Sequence, residues 1–86
     1  EKTDYDIIPL HLLEPLARVL MLGEKKYTRD NWKSLDSPNR ARAAILRHFA
    51  SYQAGDKVDE ESGESHLAHI MANCLFLVNY DKKNDV

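Results

Sequence analysis

The sequence predicts an all-α domain: a small bundle of three main helices, completed by oligomerisation. Three observations carry that expectation. Apolar residues recur at helical spacing over three separate stretches. Helix start and stop residues bracket them, with Ser37-Pro38 and Ser65 as starts and Gly55 as a stop. No stretch carries a clear strand signal, and no internal repeat or low-complexity tract is present.

The elements follow in order. Residues 1–9 read as an extended entry segment whose Ile7-Ile8-Pro9 packs on the body. Leu10 to Leu22 reads as the first helix, from the spacing of Leu12, Leu13, Leu16, Val19 and Leu20. Pro15 either marks its true start or kinks it; Gly23 caps or bends it, and Glu24 to Tyr27 are open to continuing it by a turn. Thr28 to Asp36 reads as a polar loop pinned by Trp32. The second helix starts from an N-cap Ser37 and Pro38 and runs to about Ala54, with Gly55 at its C-terminal cap. Its apolar set is Ala41, Ala44, Ile45, Leu46, Phe49 and Tyr52, with Arg40, Arg47 and Ser51 opposite. Asp56 to Ser65 is an acidic loop, and Ser65 caps a third helix over His66 to Tyr80. Asp81 to Val86 reads as a tail. On a wheel of about 100° per residue, Leu67, Ile70, Met71, Cys74, Leu77 and Val78 form a core stripe. His66, His69, Asn73, Phe76 and Tyr80 form the neighbouring stripe. With three helices to cover so much apolar surface, a homodimer or homotetramer is expected.

Bulk properties narrow the function. Eighty-six residues make a single domain, 1–86. A net charge of −2 argues against a nucleic-acid polymer as partner, which asks for a basic face. Cys74, the one cysteine, sits in an apolar run and reads as a buried small hydrophobe. No run of about 18 apolar residues and no secretory pattern occurs, so no membrane partner is expected and the location is cytoplasmic. Glycine loops of the Walker and GxGxxG kinds, CxxC pairs and GxSxG are all missing. Serine or cysteine hydrolysis is thereby disfavoured. The chemistry left is attack by a metal-activated water.

The densest group of ligand-type side chains lies at the loop-to-helix junction, Asp59-Glu60-Glu61-Ser62-Gly63-Glu64-Ser65-His66-Leu67-Ala68-His69. His66 and His69, three residues apart, point to one side of the first turn, where the helix N-terminus favours neutral, metal-ligating imidazole. Asp59, Glu61, His66 and His69 are therefore the candidate metal ligands. A plain solvated acidic loop beside one structural and one solvated histidine is the competing reading. His48 joins the group if the second and third helices return antiparallel, as ligand or base; otherwise it is a satisfied core histidine. Glu61 and His48 are the candidate catalytic pair. Lys25, Lys26 and Arg47 are candidates for holding phosphate, Tyr27 or Trp32 for stacking on a base, and Asn73 for a substrate contact.

The assembled pattern resembles a known family. Tyr5-Asp6-Ile7-Ile8-Pro9, Leu16 to Leu20, Gly23, Lys25-Lys26-Tyr27 and Asn31-Trp32 carry the resemblance in the first half. Arg47-His48, Gly55-Asp56, Asp59, Glu61-Ser62-Gly63, His66 to His69 and Asn73 carry it in the second. Together they resemble the dATP/dGTP diphosphohydrolase-like proteins of phages and prophages, over about residues 4 to 80. That family is similar in turn to the all-α nucleoside triphosphate pyrophosphohydrolases of the MazG and dimeric dUTPase type. The resemblance implies a helical dimer or tetramer and a divalent metal, Mg²⁺ or Mn²⁺. It also implies cleavage of purine deoxynucleoside triphosphates to monophosphate and pyrophosphate, in a host cytoplasm if the protein is phage-encoded. The chain departs from the superfamily's paired ExxE and ExxD helices. Its Glu61 and Glu64 stand in a loop, and His66 and His69 take the place of a second acidic pair. Histidine ligands suit Mn²⁺, Fe²⁺ or Zn²⁺ better than Mg²⁺. The alternatives are a helical oligomerisation or binding module without chemistry, and a nucleotide sensor that keeps the pocket.

Overall fold

A computed structural model of the chain describes residues 1–34 and 37–84. Three α-helices follow in order: α1 (Glu14–Lys26), α2 (Asn39–Gln53) and α3 (His66–Lys83). Short 3₁₀ turns precede α1 at Tyr5–Ile7 and Leu10–Leu13, and a third at Asn31–Ser34 precedes α2. Among the described residues there is no strand, only one isolated antiparallel bridge between Val58 and Ser65. The all-α expectation therefore holds.

The boundaries shift where local chemistry decides them. Pro15 stands in the first turn of α1, where its missing N–H costs nothing, so α1 begins at Glu14 and Leu10–Leu13 remain a 3₁₀ lead-in. Gly23 neither caps nor ends the helix, which runs on to Lys26. The side-chain oxygen of Asn31 lies 3.7 Å from where a Cβ at Gly23 would sit, an ordinary contact distance, so the helix has room for a side chain there. The entry segment is not fully extended: Asp4 accepts the amide of Asp6 and starts one turn. In the loop from Thr28, Leu35 and Asp36 lie outside the described residues. The Ser37 hydroxyl accepts the Asn39 amide at 3.3 Å, while Pro38 occupies the cap position. At the other end of α2, Gly55 has φ +100°. Its amide bonds to Tyr52 O, and the Asp56 amide bonds to Ser51 O. This is a Schellman ending, which a glycine in the left-handed region permits. Ser65 caps α3 as expected, accepting the Leu67 amide at 3.0 Å. The expected tail from Asp81 is helical as far as Lys83, and Asp85 and Val86 lie outside the described residues.

Helices α2 and α3 form an antiparallel hairpin. His48, late in α2, meets the start of α3, and the Lys83 ammonium near the end of α3 reaches Lys33 O, ahead of α2. The buried apolar residues are all small: Ala41, Ala68 and Ala72. Alanine at these positions lets the helix backbones approach closely, which sets the spacing of the side chains at the loop end. α1 packs across α3, and Trp32 stacks on Phe76 with ring centroids 5.5 Å apart.

Three core assignments are corrected. Leu67, Cys74 and Val78 are exposed, so the middle of the expected α3 stripe faces outward, and the buried residues of α3 are His66, Ala68 and Ala72. Cys74 is exposed, not a buried hydrophobe. On α2, Leu46 and Phe49 point away from α3, with Leu46 at 69% exposure. Helical periodicity marks an apolar face wider than the partner helix covers, and the small residues took the contact. The chain exposes 6858 Å². A globular monomer of 9.9 kDa exposes about 5,200 Å² by the usual mass scaling.

Candidate functional site

The loop between α2 and α3 builds the site. The Asp59 amide bonds to Glu64 O, the Gly63 amide returns to Asp59 O, and the His66 amide bonds to Lys57 O. Gly63, with φ +77°, makes the turn that these bonds need. The Ser62 amide donates to Asp59 Oδ2 at 2.9 Å, and its hydroxyl accepts the Glu64 amide at 3.1 Å. The loop is thus a tight turn held by its own backbone, with Asp59, Ser62 and Glu64 half-buried and Glu60 and Glu61 exposed. Arg18 on α1 fastens it from outside: its Nε lies 3.0 and 3.1 Å from the two carboxylate oxygens of Glu64, while a terminal nitrogen reaches Glu14 at 2.8 Å.

Inside the turn, three imidazoles and two carboxylates converge. The Nδ1 atoms of His48 and His66 are 2.8 Å apart. His66, 5% exposed, turns its Nε2 toward Asp56 Oδ2 at 3.4 Å. The His69 ring lies flat on His48, with centroids 4.5 Å apart and planes 5° from parallel. Its Nε2 is 2.7 Å from Ser62 Oγ and 3.7 Å from Asp59 Oδ2. Donor atoms of His48, Asp59 and His66 all fall within 4.8 Å of one another. Every buried side-chain nitrogen and oxygen among the described residues has a partner.

The surroundings favour neutral rings beside a charged carboxylate. Burial, and then the neighbouring His69, push the His48 pKa below its ordinary value of 6.5 against the pull of Asp59. Burial likewise lowers His69, with Asp59 opposing. For Asp59, burial pushes upward, but hydrogen bonds from Ser62 and the adjacent His69 and His48 outweigh it, and its pKa lies below 3.8. Neutral imidazole and ionised carboxylate are the ligating forms, so the donor set fits a divalent ion.

The site opens into a cleft of about 1260 Å³ between α1, the Asn31–Ser34 turn and the α2–α3 hairpin. His48, Asp59 and His69 line it on the cluster side, and Lys25, Lys26, Tyr27, Trp32, Arg47, Glu61 and Asn73 line it elsewhere. His66 does not line the cleft itself and meets it through His48. Glu61 is exposed at the rim and stands apart from the His48–Asp59–His66 group. Tyr27 is 61% exposed, with the Lys26 ammonium 5.4 Å from its ring. Trp32 packs on Phe76 and forms wall. The Asn73 amide nitrogen is tied to His69 O at 2.8 Å.

Several participants escape a sequence reading. Ser62 and Asp56 become partners of His69 and His66 only when the turn closes, although their place beside acidic residues marks them as loop-formers. The pairing of Arg18 with Glu64 has no signal in the sequence, the two being 46 residues apart. Arg40, Asn31 and Ser37 also line the cleft.

The fold is an all-α domain whose helical hairpin holds a histidine–carboxylate cluster beside a cleft that Lys25, Lys26 and Arg47 also line. The chain belongs to the family described as dATP/dGTP diphosphohydrolase, N-terminal, whose profile matches residues 1–86. It is 36% identical over 81 residues to a dATP/dGTP diphosphohydrolase of Salmonella phage PMBT28, covering 88% of this chain and 28% of that protein. The chain thus spans under a third of that relative's length. No solved structure matches. Among the described residues no helix is long and apolar enough to cross a membrane.

Proposed function

We propose that this domain serves the hydrolysis of dATP and dGTP to the monophosphate and pyrophosphate, in a metal-dependent reaction at the cleft. The observation that carries the reading is the meeting of His48, Asp59 and His66 donors at the base of a cleft whose walls hold Lys25, Lys26 and Arg47. The family membership supports the substrate class. The cluster would hold the ion through His48, Asp59 and His66, with His69 and Glu61 adjacent. A divalent ion supplies neutralisation of phosphate charge and activation of water.

The chain's own residues do the rest. Lys25, Lys26 and Arg47 bind the triphosphate oxygens as charge-assisted donors. Tyr27 offers an exposed face to a purine, whereas Trp32 has its ring against Phe76 and serves as a wall. Asn73, its nitrogen already engaged, presents its carbonyl oxygen as the free acceptor for a substrate donor. Glu61, exposed beside the cluster, is the group able to take a proton from the attacking water. A second copy of the chain covers the outward residues Leu46, Phe49, Leu67 and Val78. The excess over a compact monomer's surface, about 1,700 Å² by mass scaling, is enough for a standard interface.

The test is pyrophosphate release by the protein at its natural length, from a panel of eight nucleoside triphosphates with Mg²⁺, Mn²⁺ or chelator. Metal-dependent release biased to dATP and dGTP is expected. Silence across the panel from protein that melts cooperatively would leave a binding module or nucleotide sensor instead.

A further inference from the structure

The histidine cluster does not treat its three rings alike, and the difference assigns their roles. Two nitrogen atoms bound to one ion at about 2.1 Å stand about 3.0–3.4 Å apart, depending on the coordination angle. The Nδ1 atoms of His48 and His66, at 2.8 Å, already face each other at nearly that span. A parting of a few tenths of an ångström would admit an ion between them, with Asp59 as third donor within 4.8 Å. His66 is the anchored member. It is buried, it begins α3, and its far nitrogen faces Asp56, the carboxylate–imidazole arrangement that orients metal-bound histidine.

His69 is placed differently. Its Nε2 is taken up by the Ser62 hydroxyl at 2.7 Å, and its ring is spread over the face of His48 rather than aimed at the gap between the two Nδ1 atoms. Stacked in parallel, it limits the ring of His48 to the orientation that faces His66. Ser62 in turn holds Asp59 through its backbone amide, so one residue orients both the carboxylate and the stacking ring.

We propose that His48, His66 and Asp59 are the ligands of a first-row transition-metal dication of the Zn²⁺ or Mn²⁺ class, with His69 and Ser62 outside the coordination shell as positioning residues. The proposal rests on the reading that this cluster holds a divalent ion, and it narrows both the ion and the ligand set. Two imidazoles in a set of three donors favour such ions over Mg²⁺, which is bound through oxygens and keeps most of its water. His48 and Asp59 line the cleft, so the remaining coordination positions open toward it. His48 is then a ligand, and the proton-accepting role at the rim falls to Glu61.

Calorimetric titration of the protein at its natural length with Zn²⁺, Mn²⁺ and Mg²⁺ tests this, with Co²⁺ visible absorption reporting the ligand field. His48→Gln and Asp59→Asn are each expected to remove one transition-metal ion per chain and the matching Co²⁺ band, with helical circular dichroism retained. Ser62→Ala keeps the backbone amide that holds Asp59. It is expected to preserve the ion and the band while weakening affinity by about 10–100-fold, the usual effect of an outer-shell change. Ser62→Thr, which restores the hydroxyl, should recover most of that loss. An unchanged or tighter site in Ser62→Ala would mean that freeing His69 made it a ligand, and would overturn the assignment. Mg²⁺ bound at this cluster in preference to Zn²⁺ and Mn²⁺ would overturn the ion class while leaving the hydrolase reading standing. Transition-metal binding without turnover of any nucleotide would do the reverse. Should His48→Gln unfold, the Asp59→Asn and Ser62 variants decide the matter alone, because their side chains lie in the loop rather than between the helices.

Discussion

The loop end and the outer faces of the α2–α3 hairpin are built by opposite means. At the loop end, polar groups outnumber apolar ones, yet each buried one finds a partner: His66 with His48 and Asp56, His69 with Ser62, Glu64 with Arg18. Along the outer faces, large apolar side chains stand in the open. Val78 is 55% exposed, and Leu46, Phe49 and Leu67 join it. Among the described residues the fully buried apolar side chains are those of Ala41, Ala68 and Ala72. The hairpin spends its tight packing on bringing backbones close, which places His48 against His66. The area that would normally stabilise a domain is left for something else to cover. Burial of apolar surface at about 25 cal/mol per Å² is the main stabilising term in most small domains, so this one is marginal alone and precise at its site.

That contrast can be broken at the loop end or on the outer faces, and the site should respond most. Asp59→Ala removes a half-buried carboxylate from the loop without touching the helix contact. Metal-dependent pyrophosphate release should fall by more than 100-fold, on the order expected for losing a group at the reacting centre. His66→Ala should abolish turnover as well. Full activity in both, in a steady-state assay, would remove the cluster from the mechanism.

The alanine seam comes next. Ala68→Leu places three extra carbons on α3 where no surface is exposed. Overpacking of this kind costs about 1–3 kcal/mol, and the thermal midpoint should drop accordingly in a circular dichroism melt. The same change should also weaken metal binding, because it forces apart the backbones that carry His48 and His66. A midpoint unchanged from the wild type would show that the seam is not tight.

On the outer faces, Val78→Lys should leave the isolated fold within about 0.5 kcal/mol, as for most surface changes. It should reduce self-association measured by sedimentation velocity. If the mutant sediments as the wild type does, the second copy does not sit on this face.

Acidification should have the mildest effect. His48 and His69 titrate below 6.5 when folded, so the unfolded chain binds protons first as pH falls. Their contribution to stability is complete above about 6.5 and is lost as pH drops from there toward the folded values. Asp59, below 3.8 when folded, adds a later loss as pH falls through that lower range. Melting midpoints should therefore decline modestly from pH 7.5 to 5, and His48→Gln should flatten the decline. A midpoint that rises on acidification would contradict the neutral state of these rings.

The local chemistry was legible in the sequence by itself. The Ser65 cap, the Gly55 ending and the early-turn Pro15 act through their nearest neighbours, so sequence spacing was enough to read three helices. The crowding of Asp59, Glu61, His66 and His69 at one junction was equally visible, because a loop and the first turn of a helix cannot separate them far. Tertiary structure alone decided which apolar face was buried. Leu67, Cys74 and Val78 keep perfect helical spacing, yet the contact went to Ala68 and Ala72, since closeness of two helices depends on what both sides offer. It alone brought Arg18 to Glu64 and set His48 Nδ1 opposite His66 Nδ1, pairs whose partners belong to different elements. Spacing along a chain reports what neighbours can do, whereas the orientation of a ring against another helix is fixed by how closely the backbones pack.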